Sequence, residues 1–142
     1  EWEKQLDAQN VSRALYKLKK RRHIKVEIKG NKTIIKLTER GRKRKLEYEY
    51  ENIKVPEPQK WDKKWRLVMF DIPDEARTIR DSFRLKLKNI GFVPFQKSIW
   101  IYPYHCEDEI DFIAEYLRIS EYLTLLTVRL EDAHPLREKF NL

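Results

Sequence analysis

Residues 65–103 begin W-R-L-V-M-F-D-I-P-D-E-A-R-T-I-R and end N-I-G-F-V-P-F-Q-K-S-I-W-I-Y-P. The apolar run at residues 67–70 predicts a central β-strand that is covered on both faces, and Asp71 stands where this strand ends. A helix is predicted next, because apolar side chains recur at intervals of three or four residues: Ala76, Ile79, Phe83, Leu87 and Ile90. Gly91 closes this helix, and a second β segment, residues 92–102, completes a βαβ unit.

The sequence on the C-terminal side extends this unit. Residues 92–102 are long enough to bend at Pro94 or to pair on themselves. A second amphipathic helix is predicted from the spacing of Ile110, Ile113, Ala114 and Leu117, and residues 122–130 alternate as a final strand does. The order βαββαβ predicts an α+β fold, a ferredoxin-like sandwich over residues 61–132 with both helices on one face of the sheet. Residues 133–142 are predicted to be a tail.

The N-terminal third predicts a different module. Val11, Ala14, Leu15 and Leu18 form a helical stripe, and two short β runs follow, joined by Gly30 and Asn31 as in a hairpin. Thr38 is placed to cap a third element. Helix followed by basic hairpin is the order of a winged helix from its recognition helix onward, so residues 1–53 predict a partial winged helix whose N-terminal helices are mostly absent. Residues 54–60 contain two prolines and predict a linker.

Charge is concentrated in this N-terminal segment. Residues 13–45 contain fifteen Lys or Arg against two acids, a local net of +13 in a chain whose total is +8. Such asymmetry is typical of a polyanion-binding module, and we expect double-stranded DNA as the partner. The predicted helix would enter the groove, and the hairpin and third element would contact phosphates. The expected contacts are Asn10, Ser12, Arg13, Tyr16, Lys17, Lys20, Lys29, Lys32, Arg42 and Arg44.

Other features limit the classes of protein. No run of eighteen apolar residues predicts a membrane span, and no signal peptide heads the sequence. The one cysteine excludes an intrachain disulfide and favours a reducing, cytoplasmic setting. The sequence opens at Glu1 rather than Met, so we expect a longer product.

The central motifs resemble two known families. Four features are similar to the small CRISPR-associated adaptation nuclease, the second Cas protein. They are the run L-V-M-F-D-I-P at 67–73, the arginines Arg77 and Arg80, the Gly-Phe pair at 91–92, and the Gln-Lys-Ser-Ile-Trp at 96–100. They are also similar to the matching central domain of PaaX-type transcriptional repressors. The Trp-Ile-Tyr-Pro at 100–103 fits the repressor pattern better, whereas the Gln-Lys-Ser at 96–98 fits the nuclease pattern better.

The resemblance implies a homodimer in which a ferredoxin-like domain carries winged-helix arms. In the nuclease, strand-end aspartates of two subunits face each other across a divalent cation; Asp71 matches that residue, and Ser98 matches a serine of the motif. Asp71 would then hold Mg²⁺ or Mn²⁺, although one carboxylate per chain supplies few of the oxygen ligands that a hard cation needs. Alternatively, Asp71 accepts backbone N–H bonds where the strand turns into the helix, and Ser98 is an ordinary strand hydroxyl. Arg77 and Arg80 could pair with Asp71 or Asp81, or contact phosphate.

Two functions remain open on this basis. The first is a dimeric, repressor-like DNA-binding transcriptional regulator, with a small-molecule effector as a further expected partner. The second is a metal-dependent endonuclease of the CRISPR adaptation type, or its inactive structural relative beside an integrase partner. The basic N-terminal segment favours the regulator, and Ser98 within its motif favours the nuclease.

Overall fold

The computed structural model describes residues 8–142, which divide into two compact units at the peptide bond between Glu51 and Asn52. Expectations for residues 1–7 lie outside the described part. The secondary structure is mixed, with one two-stranded and one four-stranded antiparallel sheet, and this confirms the predicted α+β class. No helix within residues 8–142 is long and apolar enough to cross a membrane.

The N-terminal unit contains two helices around a hairpin. Its elements are α1 (Ala8–Lys20), β1 (Ile24–Lys29), β2 (Lys32–Leu37) and α2 (Glu39–Glu51). Gly30 has φ +59°, a conformation that glycine adopts without steric cost, and together with Asn31 it forms the tight turn between the strands. The hairpin predicted from the Gly-Asn pair is therefore confirmed.

Thr38 ties the end of α1 to the start of α2. Its Oγ1 donates to the carbonyl oxygen of Arg22 at 2.6 Å and accepts from the N–H of Gly41 at 3.0 Å, which is the predicted N-terminal cap. Arg22 has φ 58°, and the N–H of His23 bonds back to the carbonyl of Leu18, so α1 ends in a left-handed turn. One side chain therefore stabilises both helix ends.

The C-terminal unit follows the order β-α-β-β-α-β and then adds a helix. Its elements are β3 (Trp65–Phe70), α3 (Arg77–Asn89), β4 (Val93–Gln96), β5 (Ile99–Tyr102), α4 (Glu107–Leu117), β6 (Leu123–Val128) and α5 (His134–Phe140). The strand order is β4-β5-β3-β6, so β3 is central, as predicted. The segment 92–102 pairs on itself, with Lys97 and Ser98 in the turn. Gly91, at φ +106°, closes α3 as predicted.

The two faces of this sheet are covered to different extents. On the helix face Phe70 packs edge-on against Phe83 of α3, with ring centroids 5.2 Å apart, and Val68 is fully buried. On the opposite face α5 covers only one end, where the ring centroids of Phe140 and Trp65 are 5.8 Å apart. Met69, further along the same face, remains 36% exposed. The expectation that β3 is covered on both faces is therefore wrong at its C-terminal end.

The last ten residues also differ from the predicted tail. Residues 134–140 form α5, and its Leu136 and Phe140 pack against a buried cluster that includes Trp65 and Ile101. The segment is short and mostly polar, so its helical state depends on this packing more than on its own sequence.

Candidate functional sites

One exposed face of α1 gathers five of the ten predicted DNA-contacting residues. Its side chains surround a shallow concavity of about 500 Å³, lined by Ser12, Arg13, Tyr16, Lys17 and Lys20. Because these positions are three or four residues apart, a helix places them on one side. Tyr16 is 66% exposed, so its ring and hydroxyl are available at the centre of the cationic surface. Asn10 is exposed and lies outside the lining of this concavity.

The other residues predicted to contact phosphate differ in the hydrogen bonds and ion pairs that they already form within the protein. Lys29 and Lys32 face each other across the last residue pair of the hairpin, and both are exposed. Arg42 donates to the carbonyl of Leu37 at 3.3 Å. Arg44 pairs with Glu47 and Glu51 at 3.3 and 3.4 Å, and these interactions raise the pKa of its guanidinium, the hydrogen bond with Glu47 contributing most. A phosphate would have to compete with two carboxylates for Arg44. Within residues 8–142 no carboxylate forms an ion pair with Lys29 or Lys32.

Asp71 and Ser98 lie together at the end of the central strand. The backbone N–H of Phe70 donates to the carbonyl of Ser98, and the N–H of Asp71 donates to the carbonyl of Tyr122, both at 3.0 Å. These bonds bring the two residues to a shallow depression of about 260 Å³. Its other lining residues are Met69, Phe70, Ile99, Tyr122 and Thr124.

The alternative expectation was that the Asp71 carboxylate accepts backbone N–H bonds where the strand turns into the helix, and no such bond caps the turn that follows. Pro73 precedes the 3-10 turn at Asp74–Ala76, and that turn has no side-chain capping bond. Among the residues from 8 to 142, no group of three or more His, Cys, Asp or Glu side chains is arranged to hold a metal ion. Within one chain, Asp71 is therefore the single carboxylate that this depression offers to Mg²⁺ or Mn²⁺.

The arginines of α3 pair with neighbours other than Asp71. Arg80 Nη1 donates to Asp74 Oδ1 at 2.8 Å and to the carbonyl of Ile72 at 3.2 Å. The hydrogen bond from Arg80 is the main reason that the pKa of the Asp74 carboxyl is lowered. Arg77 Nε lies 3.9 Å from Asp81 Oδ2, so one of the two pairings expected from the sequence is present.

A buried ionic group near the start of β3 was not predicted from the sequence. Arg66 has 0% of its side chain exposed, and its Nη1 and Nη2 contact Asp62 Oδ1 and Oδ2 at 2.9 and 2.6 Å. Nη1 also donates to the carbonyl of Pro103 at 2.8 Å, and Nη2 lies 2.9 Å from His105 Nε2. The hydrogen bonds from Arg66 lower the pKa of the Asp62 carboxyl to about 2. The group joins three segments of the chain and is structural, because Arg66 is inaccessible to a ligand.

The family match falls on the C-terminal unit. Residues 58–140 match the family described as the PaaX protein central Cas2-like domain. No curated protein matches the chain. One similar solved structure is that of an uncharacterized protein from Mycobacterium tuberculosis, with 18% identity and a TM-score of 0.43. That similarity covers 95% of this chain and 53% of the other, so the chain spans about half the length of that protein. Because the family match covers more than half of its residues, this chain belongs to the PaaX family and carries its central Cas2-like domain.

Proposed function

We propose that this protein is a dimeric, repressor-like DNA-binding transcriptional regulator. The observation that carries the proposal is the cationic face of α1, where Arg13, Lys17 and Lys20 surround the exposed ring of Tyr16. A helix of this kind fits the major groove of B-DNA, and its lysines and arginine can neutralise phosphates on either side. Membership of the PaaX family supports the same assignment.

The proposal identifies the N-terminal unit as part of a winged helix. The order α1, β1, β2, α2 supports this identification, with α1 as the recognition helix and the β1–β2 hairpin as the wing. Lys29 and Lys32 at the tip of the hairpin would contact the phosphate backbone. Such contacts fix orientation and affinity but carry little sequence information.

The C-terminal unit is assigned the role of dimerisation. Its strand order β4-β5-β3-β6 and its βαββαβ element order support a ferredoxin-like sandwich. The sheet face not covered by α3 and α4 leaves Met69 36% and Leu126 41% exposed on adjacent strands. A second copy packed on this face would bury both side chains. A DNA-binding regulator also implies a cytoplasmic location, with which the unpaired Cys106 agrees.

The experiment that tests DNA binding measures the affinity for duplex DNA at increasing salt concentrations, with fluorescence anisotropy as the signal. Replacing Lys17 and Lys20 with Ala should weaken binding and reduce the slope of log K against log salt by about 0.9 for each lost phosphate contact. The matched control replaces Lys88 and Lys139, two exposed lysines of the C-terminal unit, and removes the same charge. If both double variants give the same slope of log K against log salt, α1 does not contact the DNA.

A second candidate function rests on the closeness of Asp71 and Ser98. This juxtaposition favours a metal-dependent endonuclease, in which two Asp71 carboxylates of a dimer would hold Mg²⁺ or Mn²⁺ against a phosphodiester. Labelled duplex and single-stranded DNA should be incubated with wild type and Asp71→Asn, with either metal or with chelator. Metal-dependent cleavage that disappears in the variant would establish the nuclease. Intact DNA that both proteins shift equally supports the regulator.

A further inference from the structure

A cationic cleft lies along α3 of the C-terminal unit. It has a volume of about 480 Å³ and is lined by Asp74, Arg77, Arg80, Asp81, Arg84 and Lys97. The three arginines are three and four residues apart, so they project from one side of the helix. Lys97 comes from the turn between β4 and β5. Cationic groups from two separate elements therefore converge on one concave surface.

Two of these arginines are held in place by contacts along their side chains. The guanidinium carbon of Arg84 lies 5.7 Å from the centroid of the Phe70 ring, and its Nη2 donates to the carbonyl of Lys97 at 3.3 Å. Arg80, whose side chain is 20% exposed, is fixed by its bond to the carbonyl of Ile72. Donors held in this way lose little conformational freedom when a ligand binds.

The hydrogen bonding of the cleft is incomplete. The Nε of Arg80 is buried and has no partner among residues 8–142, which is costly for a charged group. Asp74 supplies one carboxylate oxygen to Arg80, yet its side chain is 91% exposed. Arg77 and Lys97 act on the same carboxylate electrostatically. Asp74 thus occupies a position where positive charge from three side chains converges.

The charge of the lining indicates the ligand. Four cationic side chains against two carboxylates leave a net charge of +2. A phosphate monoester carries about −1.5 to −2 at neutral pH, whereas a phosphodiester carries a single negative charge. Arginine also matches the tetrahedral oxygens of phosphate with two parallel donors, a geometry that lysine alone cannot supply.

We propose that this cleft binds a terminal phosphate group in its dianionic form, with Arg80 and Arg84 as the principal donors and Asp74 as the group that phosphate displaces. The terminal phosphate could belong to a small phosphorylated molecule or to the 5′ end of a nucleic acid. The site is separate from the regulator function proposed above, because it uses no residue of α1.

The test follows the side-chain Nε–H signal of Arg80 by NMR in the full chain at pH 7, during titration with phenyl phosphate. The signal should shift because phosphate replaces Asp74 at the Nη1 of the same guanidinium, and saturation gives the affinity. Arg84→Gln should weaken binding at least about tenfold, since a charge-assisted hydrogen bond is lost. Asp74→Asn should tighten binding by about twofold, since an exposed competing charge is removed.

Three controls make the result specific. Arg129→Gln removes one exposed arginine of the same unit that does not line the cleft, and it should leave the affinity unchanged. The α1 variant with Ala at Lys17 and Lys20 should also leave it unchanged, so this proposal can fail independently of DNA binding. Dimethyl phosphate, a diester with one negative charge, should bind more weakly than phenyl phosphate. Equal loss in Arg129→Gln and Arg84→Gln, weaker binding in Asp74→Asn, or equal affinity for the diester would each overturn the proposal.

The source of the phosphate is distinguished in a separate comparison. The dinucleotide dT-dT is titrated with and without a 5′-phosphate. Tighter binding of the phosphorylated form than of phenyl phosphate would identify a nucleic-acid end as the ligand. Weaker binding would identify a small phosphorylated molecule. Equal binding of the phosphorylated and unphosphorylated dinucleotides would overturn the assignment of a terminal phosphate.

Discussion

Arg66 and Asp62 form a two-point ion pair in which both guanidinium Nη atoms meet both carboxylate oxygens, at 2.9 and 2.6 Å. Arg66 is fully buried, and the carbonyl of Pro103 accepts a further bond from it. The charge of Arg66 is therefore tolerable inside the protein only while Asp62 is ionised, because an unpaired buried guanidinium is very costly.

Replacing Asp62 with Asn should destabilise the C-terminal unit by about 3 kcal/mol, since breaking a buried ion pair from one side leaves the other charge uncompensated. Urea denaturation at pH 7 measures this loss of unfolding free energy. Asp111→Asn is the matched control, because Asp111 is an exposed residue of α4. Equal stability of the two variants would show that Arg66 does not depend on Asp62.

The same pair predicts a dependence of stability on pH. The pKa of Asp62 is about 2 in the folded protein, below the ordinary aspartate value of about 3.9, so its ionised form favours folding. This contribution is fully present above the ordinary value and is lost as the pH falls through the folded value. The stability difference between wild type and Asp62→Asn should therefore shrink from pH 6 to pH 3. A constant difference would contradict the assignment.

Gly41 should resist substitution although it lies in a helix. A Cβ atom at this position would collide with the carbonyl oxygen of His23, a backbone atom that cannot move without disturbing the turn after α1. Gly41→Ala should therefore destabilise the N-terminal unit by about 3 kcal/mol through overpacking, although alanine normally strengthens a helix. The loss of stability is measured by urea denaturation followed through the amide NMR signals of residues 8–51. Lys43→Ala, at an exposed residue of α2, is the control. Unchanged or increased stability would contradict the close contact.

Cys106 should be chemically inert in the folded protein. It precedes α4, where a helix N-terminus ordinarily lowers the pKa of a thiol, but its side chain is fully buried. Burial prevails and raises the pKa of the Cys106 thiol to about 12. Iodoacetamide at pH 8 should leave it unmodified and should label it completely in urea, as measured by intact mass. Rapid labelling of the native protein would show that this part of the unit opens readily.

The proposed dimer can be tested on the open face of the sheet. Leu126 pairs in register with Leu67 and is 41% exposed, so Leu126→Lys places a charge on the face proposed as the interface. Light scattering after gel filtration should give a dimer mass for wild type and a monomer mass for this variant. Leu85→Lys, at a leucine of α3 that is 60% exposed, should remain dimeric. A monomeric wild type, or equal masses for both variants, would contradict the interface.

Local signals in the sequence predicted most of the secondary structure. Gly30 beside Asn31, Thr38 before α2 and Gly91 after α3 each act within a few residues of the chain. The spacing of apolar residues likewise predicted α3 and α4, because one turn of a helix spans fewer than four residues. The basic face of α1 could be predicted for the same reason, since a helix determines which of its own side chains share a side.

Contacts between distant segments could not be predicted in this way. The sequence places Arg66 in an apolar run, and only the folded unit brings Asp62, Pro103 and His105 around it. The sequence also gave no basis for a helix at residues 134–140, which depends on packing against Trp65.

The sequence by itself therefore determined the elements from α1 to β6, their order and the cationic side of α1, since each depends on neighbours along the chain. Only the tertiary structure decided that Asp71 and Ser98 share a depression, that Lys97 joins the arginines of α3, and that part of the sheet stays open. These features depend on how the strands pair and where the helices pack, and the free energy of that packing comes from residues far apart in sequence.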